Sequence, residues 1–159
     1  MNTYAKTYDK TRGTTGAVKI ITRNVITGEE TVEHYLNVFC MAGKQNIASR
    51  MAAEEGTNKG VVTYFATGTG AGTPDQTDTT MFTELFRKTI SVTSVSSNVI
   101  YYTTYISTAE SNGVLTEVGL FGDTATSTAD SGAMFAHTNI TKTKTVTDTL
   151  TIEWAITIN

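Results

Sequence analysis

Apolar and polar positions alternate along this chain in short stretches, with turn-forming residues between them. The cleanest alternation comes last. In residues 147–159, Leu150, Ile152, Trp154, Ile156 and Ile158 share one parity, and Thr149, Thr151, Glu153 and Thr157 share the other. That spacing predicts a strand that turns the single tryptophan into the core. Residues 114–122, V-L-T-E-V-G-L-F-G, are apolar on both parities, with Val114, Val118 and Leu120 on one and Leu115 and Phe121 on the other. Such a run predicts an inner strand with little water on either face. The β-branched runs 17–26 and 31–40 flank T-G-E-E and predict a hairpin. In the second run Val32, His34, Leu36 and Val38 oppose Tyr35 and Phe39, so its alternation is impure. Residues 61–67 and 133–138 read as further strands, and 89–95 with 99–107 as a hairpin closed at Ser96-Ser97-Asn98.

Two segments carry a helical period instead. In residues 43–55, Ile47, Met51, Ala48 and Ala52 form an apolar face, and Gly56 suits a C-terminal cap. Residues 79–88 predict a short second helix, capped by Asp78 or Thr79, with Met81, Leu85 and Phe82 inward. Glu84 and Arg87 are three apart and would pair on one face of it. The small, polar stretch 123–131 reads as an exposed, mobile loop. Together these elements predict a mainly β protein: an antiparallel β-sandwich, jelly-roll-like, with one or two short inserted helices. Residues 17–159 form a single domain in this reading. Residues 1–16 are polar and read either as a disordered tail or, the reading preferred, as an arm that orders on a partner with Tyr4 and Tyr8 as its interface anchors.

Composition narrows the function. The net charge is −3 and charged residues make up 17%. No basic field is present to draw nucleic acid or anionic lipid. No apolar run is long enough for a membrane span, and the first residues lack the apolar segment of a signal peptide. A single cysteine, Cys40, leaves no intrachain disulfide and no multi-cysteine metal site; a buried free thiol in a reducing cytoplasm is expected. Abundant threonine suits exposed sheet.

Candidate chemistry is sparse. Gly68, Gly70 and Gly72 lie between a strand and a helical pattern, but the P-loop lysine is missing, so a tight turn is the better reading. His34 and His137 read as sheet residues, with no local mark of a nucleophile. Asp75 with Asp78, or Asp123 with Asp130, lack the ligand density of a calcium loop. Glu117 is the exception: a carboxylate inside an apolar strand either points to solvent at a strand edge or needs a partner, and Arg87 is then the expected one. No catalytic residue, cofactor or metal is predicted.

Three segments in order carry a resemblance: Y-F-A-T-G-T-G-A-G-T-P at 64–74, M-F-T-E-L-F-R-K at 81–88 and L-T-E-V-G-L-F at 115–121, followed by the terminal alternating strand. This order resembles small structural proteins of tailed bacteriophages, including capsid decoration proteins and the N-terminal domains of tail-collar and tail-fibre proteins. The similarity runs from about residue 46 to 158 and leaves the first 40 residues outside. It implies a virion part, assembled in the host cytoplasm, without catalysis. Gly68, Gly70, Glu84, Arg87, Glu117 and Gly119 would hold the fold. The partners implied are other virion proteins, either the major capsid protein or tail and collar components, and further copies of the chain. A head decoration (cement) protein is the leading expectation, and a tail, collar or baseplate adaptor the alternative. A carbohydrate-binding module or cytoplasmic enzyme on a sandwich fold, using His34, His137, Asp75 or Asp78, is a third.

Overall fold

The computed structural model describes residues 14–52 and 60–159. The strands are β1 (Thr15–Asn24), β2 (Glu30–Phe39), β3 (Val62–Gly68), β4 (Glu84–Thr89), β5 (Val92–Ser96), β6 (Val99–Ile106), β7 (Gly113–Gly122), β8 (Ala133–Lys144) and β9 (Asp148–Thr157). One helix, α1 (Met41–Ala52), follows β2. The ladders join all nine strands into one antiparallel sheet in the order β4-β3-β7-β8-β2-β1-β9-β6-β5.

This sheet curls. β4 and β5 stand at opposite ends of the strand order, yet only Ile90 and Ser91 separate them in the chain. The Ile90 N–H still donates to the Thr63 carbonyl of β3, and the next N–H, of Ser91, donates to the Thr103 carbonyl of β6. The two ends of the sheet therefore meet at one corner. The opposite corner is β2, which pairs with β1 over most of its length and with β8 only through Val38–His137 and Phe39–Ala136. Side chains bridge β2 and β8 as they diverge: Lys142 to Glu33, the Tyr35 hydroxyl to the Thr141 carbonyl, and the Thr138 hydroxyl to the Leu36 carbonyl.

Both halves of the curl feed one core. Val18, Ile20, Ile106, Leu150, Ile152, Trp154 and Ile156 come from one half; Phe65, Leu115, Val118, Leu120, Ala136 and Ile140 come from the other. Phe65 meets Trp154 edge-on, with ring centroids 6.4 Å apart. The indole N–H donates to Asn37 Oδ1 at 3.1 Å, and Gly16, opposite Asn37 in the ladder, has no Cβ because one would overlap that amide. Trp154→Ala is expected to cost about 3–5 kcal/mol, from the cavity and the stranded amide. Denaturant unfolding measures it, and near-native stability would contradict the inward placement of this face.

β7 is apolar on both parities for a reason the ladders supply. Register slips relative to β8 occur between Leu115 and Glu117 and between Leu120 and Phe121. At the first slip the inward parity changes, so Leu115, Val118 and Leu120 all reach the main core. Glu117, Gly119 and Phe121 take the other face, where Cys40, Ala66, Met81, Phe121 and Met134 form a second, smaller cluster. Residues 69–83 lie over that face.

Several expectations need correction. Residues 79–88 are not a helix: Glu84–Thr89 is strand β4, paired with β3, and the residues before it are irregular. Ladder pairing and a bound loop override the weak helical period. Met51 does not face the core; it is 82% exposed, and within α1 only Gly43 is buried. Ile158 lies past the end of β9 and is 36% exposed. The strand expected at 133–138 continues to Lys144. Residues 123–131 are largely exposed but tied down, as shown below. The arm with Tyr4 and Tyr8, and the proposed cap at Gly56, fall on positions outside the described residues, apart from residues 14–16.

Candidate functional site

Two polar clusters on the β3-β4-β7-β8 half gather most of the residues singled out from the sequence. The first is centred on Glu117, whose side chain is fully buried. Its partner is not Arg87. Glu117 Oε1 accepts the N–H groups of Gly70 (2.9 Å) and Thr83 (2.8 Å). Oε2 accepts the Phe82 N–H (3.0 Å) and faces His137 Nε2 at 2.9 Å. Three main-chain amides of the loop between β3 and β4 thus donate to one carboxylate, and His137 Nε2 meets it at hydrogen-bond distance. Distributed N–H donors offset the desolvation of a carboxylate as well as a cation does.

The glycines follow from this geometry. A Cβ at Gly68 or Gly70 would come within 2.5 Å of Glu117 Oε1, and one at Gly72 would overlap the Phe82 ring. The G-T-G-A-G run is therefore a close-approach motif for a carboxylate of its own chain, and no left-handed backbone is involved at these positions. Thr116 Oγ1 donates to the Gly70 carbonyl and Asn139 Nδ2 to the Gly72 carbonyl, which clips the same loop twice more. Gly119 stands beside the Phe121 ring and Met81, where a side chain would crowd the smaller cluster.

His137, fully buried, links two acids. Nε2 meets Glu117, and Nδ1 lies 3.0 Å from Asp78 Oδ2. Asp78 Oδ2 also accepts the Asp75 N–H, and Phe82 packs its ring 5.0 Å from the imidazole. Both ring nitrogens face carboxylate oxygens. An imidazolium supplies the two protons this needs; a neutral ring leaves one N···O pair without a proton unless a carboxyl carries it. Carboxylate–imidazole–carboxylate order is also found in proton relays. Here the imidazole and Glu117 are sealed from water, and every oxygen of Glu117 is occupied by this chain.

The second cluster is built on Glu84 and Arg87. They pair as expected, though on a strand. Glu84 lies opposite Gly68 and Phe86 opposite Thr67, so Leu85 is an extra residue in β4. That bulge puts residues 84 and 87 on one face. The fork is bidentate, Nε to Oε1 and Nη2 to Oε2, both 2.7 Å, and each side chain is 2% exposed. Arg87 Nη1 donates to the carbonyls of Thr126 and Ser131 and to Ser131 Oγ, and Glu84 Oε2 accepts the Asp130 N–H. The guanidinium lies over the Phe121 ring at 4.2 Å. Residues 123–131 are thus anchored to β4. The sequence carried no sign of this, since the acceptors are mostly main-chain carbonyls.

Of the remaining candidates, Asp75 and Asp130 touch the clusters through their main-chain N–H groups, on Asp78 and Glu84, and His34 and Asp123 join neither. His34 is exposed on β2 opposite Lys19. Asp75 accepts the Thr77 N–H and hydroxyl, and Asp123 accepts the Gly60 N–H; Asp123 and Asp130 both have positive φ. Asp75 and Asp123 serve turns, and Asp130 sits beside the Glu84–Arg87 pair. Among the described residues no group of three or more His, Cys, Asp or Glu is arranged to hold a metal ion. Cys40 is fully buried, and burial, reinforced by the Asp78 charge, pushes its thiol up to about 12. The native chain is expected to leave a thiol reagent unreacted at neutral pH and to react once per chain in denaturant; fast native labelling would contradict the packing around the smaller cluster.

The chain was compared with protein-family models, curated proteins and solved structures, and none matches.

Proposed function

We propose that this chain is a structural protein of a tailed-phage particle, a decoration (cement) protein that binds the assembled head and stabilises it. The observation that carries the reading is how the motif residues are used. Glu84, Arg87 and Glu117 hold two loops onto one half of the sheet, with their polar atoms turned to this chain, and Gly68, Gly70 and Gly119 leave the room that this close packing needs. Motif residues spent in this way suit a protein whose work is done by its surface.

That surface is unusual on the β2-β1-β9-β6-β5 half. Its outer face carries Leu36 and Val32 on β2 and, across β1 and β9, Tyr101 and Tyr105 on β6 and Val92 on β5, all well exposed. The ion pair Lys19–Glu153 lies between them. Burying such a face across the junction of neighbouring capsid subunits would favour the assembled lattice by mass action. We read the curled sheet accordingly as a jelly-roll-like sandwich joined along its corners, with Phe65 and Trp154 meeting across it.

A tail, collar or baseplate adaptor is the second reading, favoured by the same motif order in the N-terminal domains of tail-collar and tail-fibre proteins. Immunogold labelling of virions with an antibody to this chain separates the two. Gold over the head supports decoration, and gold at the neck or tail supports the adaptor. No signal on intact or denatured virions would sink both.

A further inference from the structure

The hairpin of β5 and β6 stands out for what it lacks. From residue 89 to 109 the chain has no charged side chain. β5 is the last strand of the sheet order, and all five of its residues, Val92, Thr93, Ser94, Val95 and Ser96, are exposed. Val92 is 56% and Val95 69% exposed. Edge strands offer a row of unpaired N–H and C=O groups, and soluble proteins blunt them with charge, proline, bulges or a covering segment. Other open margins of this sheet are treated that way. β4 carries Glu84, Arg87 and Lys88 and a bulge, and residues 123–131 are tied across it. β2 is bridged to β8 by Glu33–Lys142 and Tyr35. Among the described residues nothing covers β5.

We infer that β5 is a self-association edge, pairing antiparallel with β5 of a second copy about a two-fold axis at Ser94. The strand is complementary to itself in that register. Ser94 would face Ser94 of the second copy, Thr93 would face Val95 and Val92 would face Ser96. No position brings charge to charge, and the four β-branched residues Thr93 and Val95 of the two copies line one side of the new ladder. Two nine-stranded sheets would become one continuous sheet, and the interface would be isologous. The inference stands on the edge alone and does not depend on the virion reading.

The test is sedimentation of the full chain over a concentration series, with three variants. The wild type should sediment at twice the monomer mass. Ser94→Lys sets two like charges opposite each other at the axis and should give the monomer, with circular dichroism unchanged because the site is exposed and a melting midpoint that no longer depends on protein concentration. Val114→Lys, at an exposed position on β7, should leave the dimer intact. Ser94→Cys, with Cys40 buried, should give a disulfide-linked dimer under mild oxidation. A wild type that stays monomeric, or a dimer that survives Ser94→Lys, overturns the inference. So does a dimer lost on deleting residues 1–13 but kept in Ser94→Lys, since the amino-terminal segment would then be the contact. A monomer in solution whose binding to virions is abolished by Ser94→Lys would also overturn it, making a different protein the occupant of the edge.

Discussion

Replacing Glu117 by glutamine should destabilise the protein by about 3–5 kcal/mol, nearly as much as replacement by alanine, because breaking a buried charged network strands its partners. Glutamine has almost the same shape, so the loss is electronic. Three donors point at the two carboxylate oxygens, the N–H groups of Gly70, Phe82 and Thr83, and His137 Nε2 lies at hydrogen-bond distance from the second oxygen. An amide has one oxygen to offer, and its NH₂ must then face donors on the other side. Thermal unfolding should show a midpoint lowered by roughly 10 °C for a chain of this size. Local opening gives a second readout. The loop held by Glu117 carries Met81, which packs in the smaller cluster with Cys40. Labelling of the Cys40 thiol should therefore be faster in Glu117→Gln than in the wild type under native conditions. A variant within about 1 kcal/mol of wild type, the range of a surface pair, with an unreactive thiol would mean that the loop is held by its other contacts.

A double-mutant cycle between Glu84 and Arg87 should give a coupling energy well above the roughly 0–1 kcal/mol of an exposed pair. Each single change leaves a nearly inaccessible charge without its partner, and about 3–5 kcal/mol is expected for either alone. Arg87→Ala should cost more than Glu84→Ala. It also removes the donors to Thr126 and Ser131 and the contact with Phe121, which free residues 123–131. Limited proteolysis should then cut in that loop in Arg87→Ala and not in the wild type. The parallel cycle between Glu117 and Arg87 should show little coupling, because the two side chains belong to separate clusters. Strong coupling there, with little between Glu84 and Arg87, would overturn the assignment of partners.

Much of the local structure was legible in the amino-acid order. The parity of Leu150, Ile152, Trp154 and Ile156 named both strand and inward face, since a side-chain period of two has few other interpretations. The hairpins around 27–30 and 96–98 were readable from turn chemistry between β-branched runs. That Glu117 needed a partner followed from its apolar neighbours, and that Glu84 would meet Arg87 followed from their charges. What tertiary structure alone decided was who meets whom. Glu117 takes main-chain amides as well as His137, and an amide is the same at every position, so no side-chain pattern announces it. Glu84 and Arg87 share a face because of one extra residue in β4, which appears only once Gly68 and Thr67 are paired across from it. The helix expected at 79–88 lost to ladder hydrogen bonds with β3, a non-local term absent from any window of sequence. The mixed apolar parity of β7 likewise comes from slips against β8. Periodicity is a property of one strand and was determined by the sequence itself; register belongs to two strands, and only the folded chain decided it.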